Sequence, residues 1–228
     1  MRPLSDTVPK PALPLVGEPV IAAPLRLAAS SGATRIVVNT WHLADAMEAA
    51  VRSVDLAAEI VISRETELMG PGGGLALARD RGLLGSRGPV LVVNGDGALN
   101  LELDAVMARM AELDDLVTLA LLPHLDPGRW SRVELDPCGR VCRIAPPGEP
   151  SDGEVPFVYP GVMMVSRTAI DRLPSGRGSV PDHLWRPARD ANRMGGVVVS
   201  GWWREIGTPS AYLAGVVDRL AGRTVVDA

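Results

Sequence analysis

Five prolines fall within the first nineteen residues, at positions 3, 9, 11, 14 and 19. Each fixes φ and removes a backbone donor, so this lead-in has almost no room for a helix or a central strand. Met1 to Ile21 is dotted with apolar residues and carries one arginine and one lysine, Arg2 and Lys10. Such a segment suits a loop laid across a site better than a core element.

The rest of the chain reads as a folded protein. Of 228 residues, 46% are hydrophobic and 22% charged, enough apolar material for a real core. On the usual scale of roughly 100–200 residues per domain, the length allows one large α/β domain or two small ones; with no internal repeat and no linker to split the chain, a single domain spanning 1–228 is expected. The formal net charge of −4 argues against a nucleic-acid partner, which demands a basic face. The longest apolar run, Leu116 to Pro123 broken only by Thr118, is far shorter than the ~20 residues a bilayer requires. No charged-then-apolar leader opens the chain, so a cytoplasmic address and no membrane partner are expected. Cys138 and Cys142 lack further nearby Cys or His and fall short of a four-ligand zinc site; they read as reduced structural thiols, with a functional pair as the lesser alternative.

Strands and helices alternate. Val20 to Ser31 has helical apolar spacing and ends at Gly32. Arg35 to Asn39 and Glu59 to Ser63 are β-branched runs flanking an amphipathic helix over His42 to Val54. The cluster Gly70-Pro71-Gly72-Gly73-Gly74 leads into a helix over Leu75 to Asp80, and Pro89 to Asp96 is the clearest strand. A helix over Asp104 to Glu112 and a strand over Leu116 to Leu122 follow. This alternation favours a mostly parallel sheet with helices on both faces. Then Asp136-Pro137-Cys138-Gly139 has the residue preferences of a type I turn between two short strands, which predicts an antiparallel hairpin. Pro146 to Pro156 reads as a surface loop and Phe157 to Ser166 as a strand. Thr208-Pro209 supplies an N-cap and N1 proline for a helix over Ser210 to Leu220.

Few groups could carry chemistry. Asn94-Gly95-Asp96 ends a buried strand, where α/β sheets collect ligands; Asp96 could hold a metal there or simply cap the following loop. Trp203-Arg204-Glu205-Ile206-Gly207-Thr208-Pro209 places a carboxylate just before the last helix. The glycine cluster is neither a P-loop nor a dinucleotide fingerprint, and a plain helix-entry loop is its bland reading. Lys10 sits between two prolines, a restricted backbone that suits a point charge aimed at phosphate. Tyr159-Pro160-Gly161 is either a kink in a core strand or a ligand contact. His124 and His183 have no partners in sequence and are assigned nothing.

These motifs, in this order, resemble the sugar-1-phosphate nucleotidylyltransferase family (the nucleotidyl transferases). Arg2-Pro3-Leu4-Ser5, then Pro9-Lys10-Pro11-Ala12-Leu13-Pro14-Leu15-Val16-Gly17-Glu18-Pro19, matches that family's signature segment with hardly a gap. The compact length is most similar to short N-acetylmuramate-1-phosphate uridylyltransferases and mannose-1-phosphate guanylyltransferases. The resemblance implies a Rossmann-like three-layer α/β/α fold, with a mostly parallel central sheet and an antiparallel hairpin region. It implies transfer of a nucleoside monophosphate from an NTP to a sugar 1-phosphate. In that scheme Lys10 and Arg2 serve the phosphates, and Asp96 and Glu205 hold Mg²⁺. Gly72, Gly73, Gly74 and Asn94 meet the nucleotide, and Tyr159 and Gly161 meet the sugar. Position 205 departs from the family, whose residue there is Asp. The family also places a strand and a Gly-rich loop before this segment, so the chain is expected to be incomplete at its N-terminus. A non-catalytic nucleotide-sugar-binding relative is the alternative. A glycosyltransferase is disfavoured because Asp96-Gly97-Ala98 lacks Asp-x-Asp. Homo-oligomerisation is left open.

Overall fold

The structure, a computed structural model, describes residues 1–123, 126, 128–149 and 157–222. It comprises two compact units, each assembled from separated stretches of chain. One contains Met1–Leu68, Val93–Leu101 and the chain from Trp202; the other contains Met69–Val92 and Glu102–Gly201.

In the first unit the proline-rich lead-in makes two short 3₁₀ turns, Leu4–Asp6 and Lys10–Ala12. It then enters a hairpin of β1 (Pro14–Leu15) and β2 (Glu18–Pro19). The hairpin turns at Val16 and Gly17, with φ of 53° and 86°, the left-handed pair that a tight two-residue hairpin demands. Next come α1 (Ala22–Ser30), β3 (Arg35–Thr40), α2 (Ala44–Arg52) and β4 (Glu59–Arg64). β3 and β4 pair in parallel from Arg35↔Glu59 to Thr40↔Arg64, with α2 as the crossover. Ile21, Leu25, Met47 and Val51 pack together beside them. A second cluster joins Leu13, Leu15 and Val20 to Ala98 and Ile206. The lead-in is therefore partly core, against expectation: proline removes donors, yet the leucines between the prolines still bury their side chains.

The second unit holds α3 (Gly70–Asp80) and β5 (Val90–Val93). The chain crosses β6 (Gly97–Leu101) of the first unit and returns through α4 (Asp104–Glu112) and β7 (Val117–Pro123). The predicted hairpin is present as β8 (Arg132–Leu135) and β9 (Val141–Ala145). Asp136 closes it by accepting hydrogen bonds from the backbone of Cys138 and Arg140, at 2.9 and 2.8 Å. β10 (Phe157–Val158), β11 (Val162–Val165), α5 (Arg167–Asp171), α6 (Arg186–Asp190) and β12 (Met194–Val198) complete the unit. β13 (Gly201–Glu205) pairs with β6, and α7 (Pro209–Leu220) opens on a Thr208 side chain that accepts from Ala211 N–H at 3.1 Å.

The main sheet runs β5-β11-β7-β10-β8-β9, with β12 also on β7. It corrects the expected mostly parallel sheet. β7 is antiparallel to β10 and β11, and β8 is antiparallel to β9 and β10; β12 is parallel to β7. A continuous apolar run reports burial on both faces and carries no information about strand direction. The predicted strand Pro89 to Asp96 ends at Val93, and Phe157 to Ser166 breaks into β10 and β11 at Pro160-Gly161. The glycine cluster is the first turn of α3 rather than a loop before it. Part of the expected loop over Pro146 to Pro156, and His124, lie outside the described residues. Among the described residues no helix is long and apolar enough to cross a membrane.

β7 is framed by a buried charge. The Asp115 side chain is 1% exposed and accepts from Arg109 Nε at 2.7 Å and Thr118 Oγ1 at 3.2 Å, with Arg140 Nη1 at 3.8 Å. Gly195 makes room: a methyl group there would collide with Asp115 Oδ2 and Arg109 Nε. Removing one partner of such a pair leaves an uncompensated buried charge, at a cost of about 3–5 kcal/mol. Asp115→Ala is therefore expected to lower the unfolding free energy, read from a urea titration, by about 3–5 kcal/mol, with a matching fall in midpoint. A midpoint within error of wild type would show that Arg109 escapes to water.

Candidate functional site

In the first unit, Pro9 and Pro11 hold Lys10 at the start of a 3₁₀ turn. Its ammonium reaches Asp96 Oδ2 at 2.8 Å, across 86 residues of sequence. Asp96 ends the turn between β5 and β6. Gly95 lets that turn settle on the core, since a methyl there would lie 2.7 Å from Ile21 Cδ1. The Lys10 side chain is 22% exposed and that of Asp96 49%. A pair this open is worth about 1 kcal/mol or less. It fixes the geometry of two opposite charges at the surface far more than it stabilises the fold.

Glu205 ends β13. A methyl on Gly97 would lie 3.4 Å from the Arg204 carbonyl, and Glu102 N–H donates to Ser200 O at 3.0 Å. The two contacts run in opposite chain directions, so β6 and β13 are antiparallel. Asp96, immediately before β6, and Glu205, at the end of β13, therefore flank the same end of the strand pair. The Glu205 carboxylate folds back over Gly207. Asn94 is exposed two residues before Asp96. Arg2 is not drawn into this group: its highly exposed guanidinium pairs with Asp6 Oδ1 at 3.2 Å. Among the described residues no group of three or more His, Cys, Asp or Glu could hold a metal.

In the second unit, Gly72, Gly73 and Gly74 are buried in α3. Gly73 N–H donates to Gly178 O at 3.1 Å, and Gly178 N–H donates to Met69 O at 2.9 Å. A methyl on Gly72 would lie 2.5 Å from Ser179 O, and one on Gly73 2.6 Å from Gly176 O. The close approach these glycines permit is thus made by the backbone of residues 176–179. Gly161, buried with φ of 88°, turns the chain from β10 into β11. Tyr159 meets Trp185 edge to face, with ring centroids 5.1 Å apart, and burial pushes its hydroxyl pKa up. Both rings line a pocket of about 230 Å³ with Trp130, Ser131, Val133 and Ile144. Trp130 and Trp185 escaped the sequence reading because no spacing links them; hairpin pairing and a short π-helical turn at Pro181–Trp185 bring them together. Cys138 and Cys142 are unbridged, as expected, but both are exposed, so neither is a buried structural thiol.

Comparison with known proteins matches residues 1–221 to the nucleotidyl transferase family. Mannose-1-phosphate guanylyltransferase of Mycobacterium tuberculosis is 28% identical over 226 residues, covering 97% of this chain and 62% of that protein. The bifunctional protein GlmU of Dinoroseobacter shibae is 35% identical over 177 residues, covering 76% of this chain and 38% of its own length. This chain therefore spans less than two thirds of the length of these relatives. Among solved structures, HddC from Yersinia pseudotuberculosis complexed with GMP-PN superposes with a TM-score of 0.72 at 19% identity, covering 96% of this chain and 93% of that one. The match shows an α/β fold of the nucleotidyltransferase kind. With a family match over nearly its whole length, this chain belongs to the nucleotidyl transferase family.

Proposed function

We propose that the chain transfers a nucleoside monophosphate from an NTP to a sugar 1-phosphate. The observation that carries this reading is the Lys10–Asp96 pair at 2.8 Å, set in the proline-rich signature and at the head of β6. Family membership and relatives named as mannose-1-phosphate guanylyltransferases support it. An oxygen of the sugar phosphate bonds to the NTP α-phosphorus as the bond from that phosphorus to its bridging oxygen breaks, and the bridging oxygen leaves on pyrophosphate. Little covalent work falls to the protein in such a reaction; positioning and charge neutralisation dominate.

Lys10 is the fixed positive charge for the phosphates, its backbone held between two prolines. Asp96 and Glu205 fit a magnesium ion. Their donors are hard carboxylate oxygens, and Mg²⁺ is commonly held by one or two carboxylates together with substrate phosphates. The Asp96 carboxylate is paired with the Lys10 ammonium at 2.8 Å. When bound, Mg²⁺ supplies Lewis-acid neutralisation of phosphate charge. Tyr159 and Gly161 are assigned to the sugar: an aromatic wall suits the C–H face of a pyranose, and Gly161 is the buried turn that follows it. Asn94 is assigned to the nucleotide from its exposed place beside Asp96. The glycines 72–74 are kept as packing residues, because residues 176–179 fill their near side. Arg2, paired with Asp6, carries no assigned role.

The test is pyrophosphate release from purified protein supplied with Mg²⁺, each NTP and a panel of sugar 1-phosphates. Release with at least one pair is expected, and EDTA should abolish it. Silence with every pair, while nucleotide sugar still binds, would move the chain to the non-catalytic reading. Lys10→Met should lower kcat/KM by about 10²–10³-fold, the scale of losing one preorganised charge partner. The same change should shift folding stability by less than about 1 kcal/mol. Equal activity in Lys10→Met would remove Lys10 from the phosphate site. Asp96→Asn should raise the Mg²⁺ concentration needed for half-maximal rate, and an unchanged requirement would remove Asp96 as a ligand.

A further inference from the structure

The pocket in the second unit is walled by rings. Trp130, Tyr159 and Trp185 line it together with Val133, Ile144 and Val158, and Ser131 adds a hydroxyl. Among the described residues no charged side chain lines it. Its volume of about 230 Å³ falls below the roughly 300–1,000 Å³ of a pocket that encloses a drug-sized ligand. It therefore suits one substituent of a sugar rather than a whole nucleotide sugar. The rings are held by their neighbours. The Trp185 indole N–H donates to Sδ of the buried Met163 at 3.5 Å, which engages that polar edge inside the protein. Tyr159 stands at 89° to Trp185, the edge-to-face packing that aromatic rings favour. The Arg129 guanidinium lies 4.6 Å from the centre of the Trp130 ring. The Tyr159 hydroxyl differs: it has no hydrogen-bond partner among the described residues, and burial holds it protonated. Tyrosine hydroxyls drawn out of water usually find a partner, so this one is left to donate to a ligand.

We infer that this pocket receives an acetamido substituent of the sugar 1-phosphate, its methyl against the aromatic walls and its carbonyl oxygen accepting from the Tyr159 hydroxyl. The inference rests on the proposed place of Tyr159 at the sugar. Other substituents match only half of the lining. A sugar hydroxyl could pair with Tyr159 but would leave the apolar walls facing a polar group. A bare methyl would cover the walls but leave the Tyr159 hydroxyl unpaired. A carboxylate would enter without a cation to meet it, and burying an unpaired charge is costly. An acetamido group carries an acceptor and a methyl on one carbon, so it answers both demands at once. Its N–H is left to water or to the exposed Ser131 hydroxyl.

Pyrophosphate release by the full 228-residue chain tests this with matched sugar 1-phosphates that differ only in acetamido or hydroxyl at C2. N-acetylglucosamine 1-phosphate is set against glucose 1-phosphate, and the galacto and manno pairs likewise, each with Mg²⁺ and every NTP. In at least one series the acetamido member should have the higher kcat/KM by about 10–200-fold, the range for one apolar group in a hydrophobic pocket. Tyr159→Phe keeps the ring and removes the donor. It should lower kcat/KM for that acetamido member by about 2–10-fold, the net worth of one neutral hydrogen bond. The hydroxyl member should be unaffected, and the urea midpoint should match wild type because the lost hydroxyl had no partner. Turnover with equal rates for both members of every pair, or with the hydroxyl members preferred, overturns the inference and leaves the transfer reading standing. An equal fall for both members in Tyr159→Phe also overturns it, since a purely structural role predicts that. Silence with every pair overturns the transfer reading and this inference together.

Discussion

The second unit is organised around β7, a strand that must satisfy its backbone on both edges while burying both faces. Residues Val117 to Leu122 are all buried, so none of their amide or carbonyl groups can turn to water, and an unpaired one would cost about 1–3 kcal/mol. β12 serves one edge in parallel. β11 serves the first half of the other edge and β10 the second half, both antiparallel. The break at Pro160-Gly161 follows from this division of labour, because one edge is shared by two short strands that the chain must step between. Asp115, just before β7, adds a charge that can exist there only because Arg109, Thr118 and Arg140 surround it. A hydrophobic strand and a buried ion cluster thus constrain the same segment from two directions.

Close approach is the second theme. The chain has 24 glycines, and several are where two groups occupy the volume of a side chain. At Gly195 it is the Asp115–Arg109 pair, at Gly72 and Gly73 the backbone of residues 176–179, and at Gly207 the carboxylate of Glu205. The consequences differ with what fills the space. Backbone and buried ions cannot retreat, so a methyl at 195 or 73 strains the fold. At 207 the neighbour is a side-chain carboxylate rather than backbone.

Lys10 and Asp96 show how weakly stabilising contacts define a site. Their ion pair is too exposed to matter to the folding balance, and each belongs to a segment held by other forces. Leu13 and Leu15 bury the lead-in, while Ala98 buries the start of β6 in the same cluster. The charges ride on that apolar contact, which fixes their spacing.

Much was legible in the chain of residues alone. Helical periodicity marked α1, α2, α4 and α7 within a residue or two of their ends, and β-branched runs marked β3, β4 and β7. Asp136-Pro137-Cys138-Gly139 marked the hairpin and Thr208-Pro209 the last cap, because these signals act over a few neighbouring residues. The signature around Lys10, which pointed to the family, was legible for the same reason. Strand direction was not, since apolar runs look alike in parallel and antiparallel sheets. Nor were β12 and β13, whose glycines weaken the strand pattern and make sense only against the residues they admit. The Trp130–Tyr159–Trp185 pocket and the fold-back of Glu205 over Gly207 belong wholly to tertiary structure. The sequence determined which residues are short, charged or aromatic; packing decided which of them meet, because contact depends on what occupies the space each one leaves.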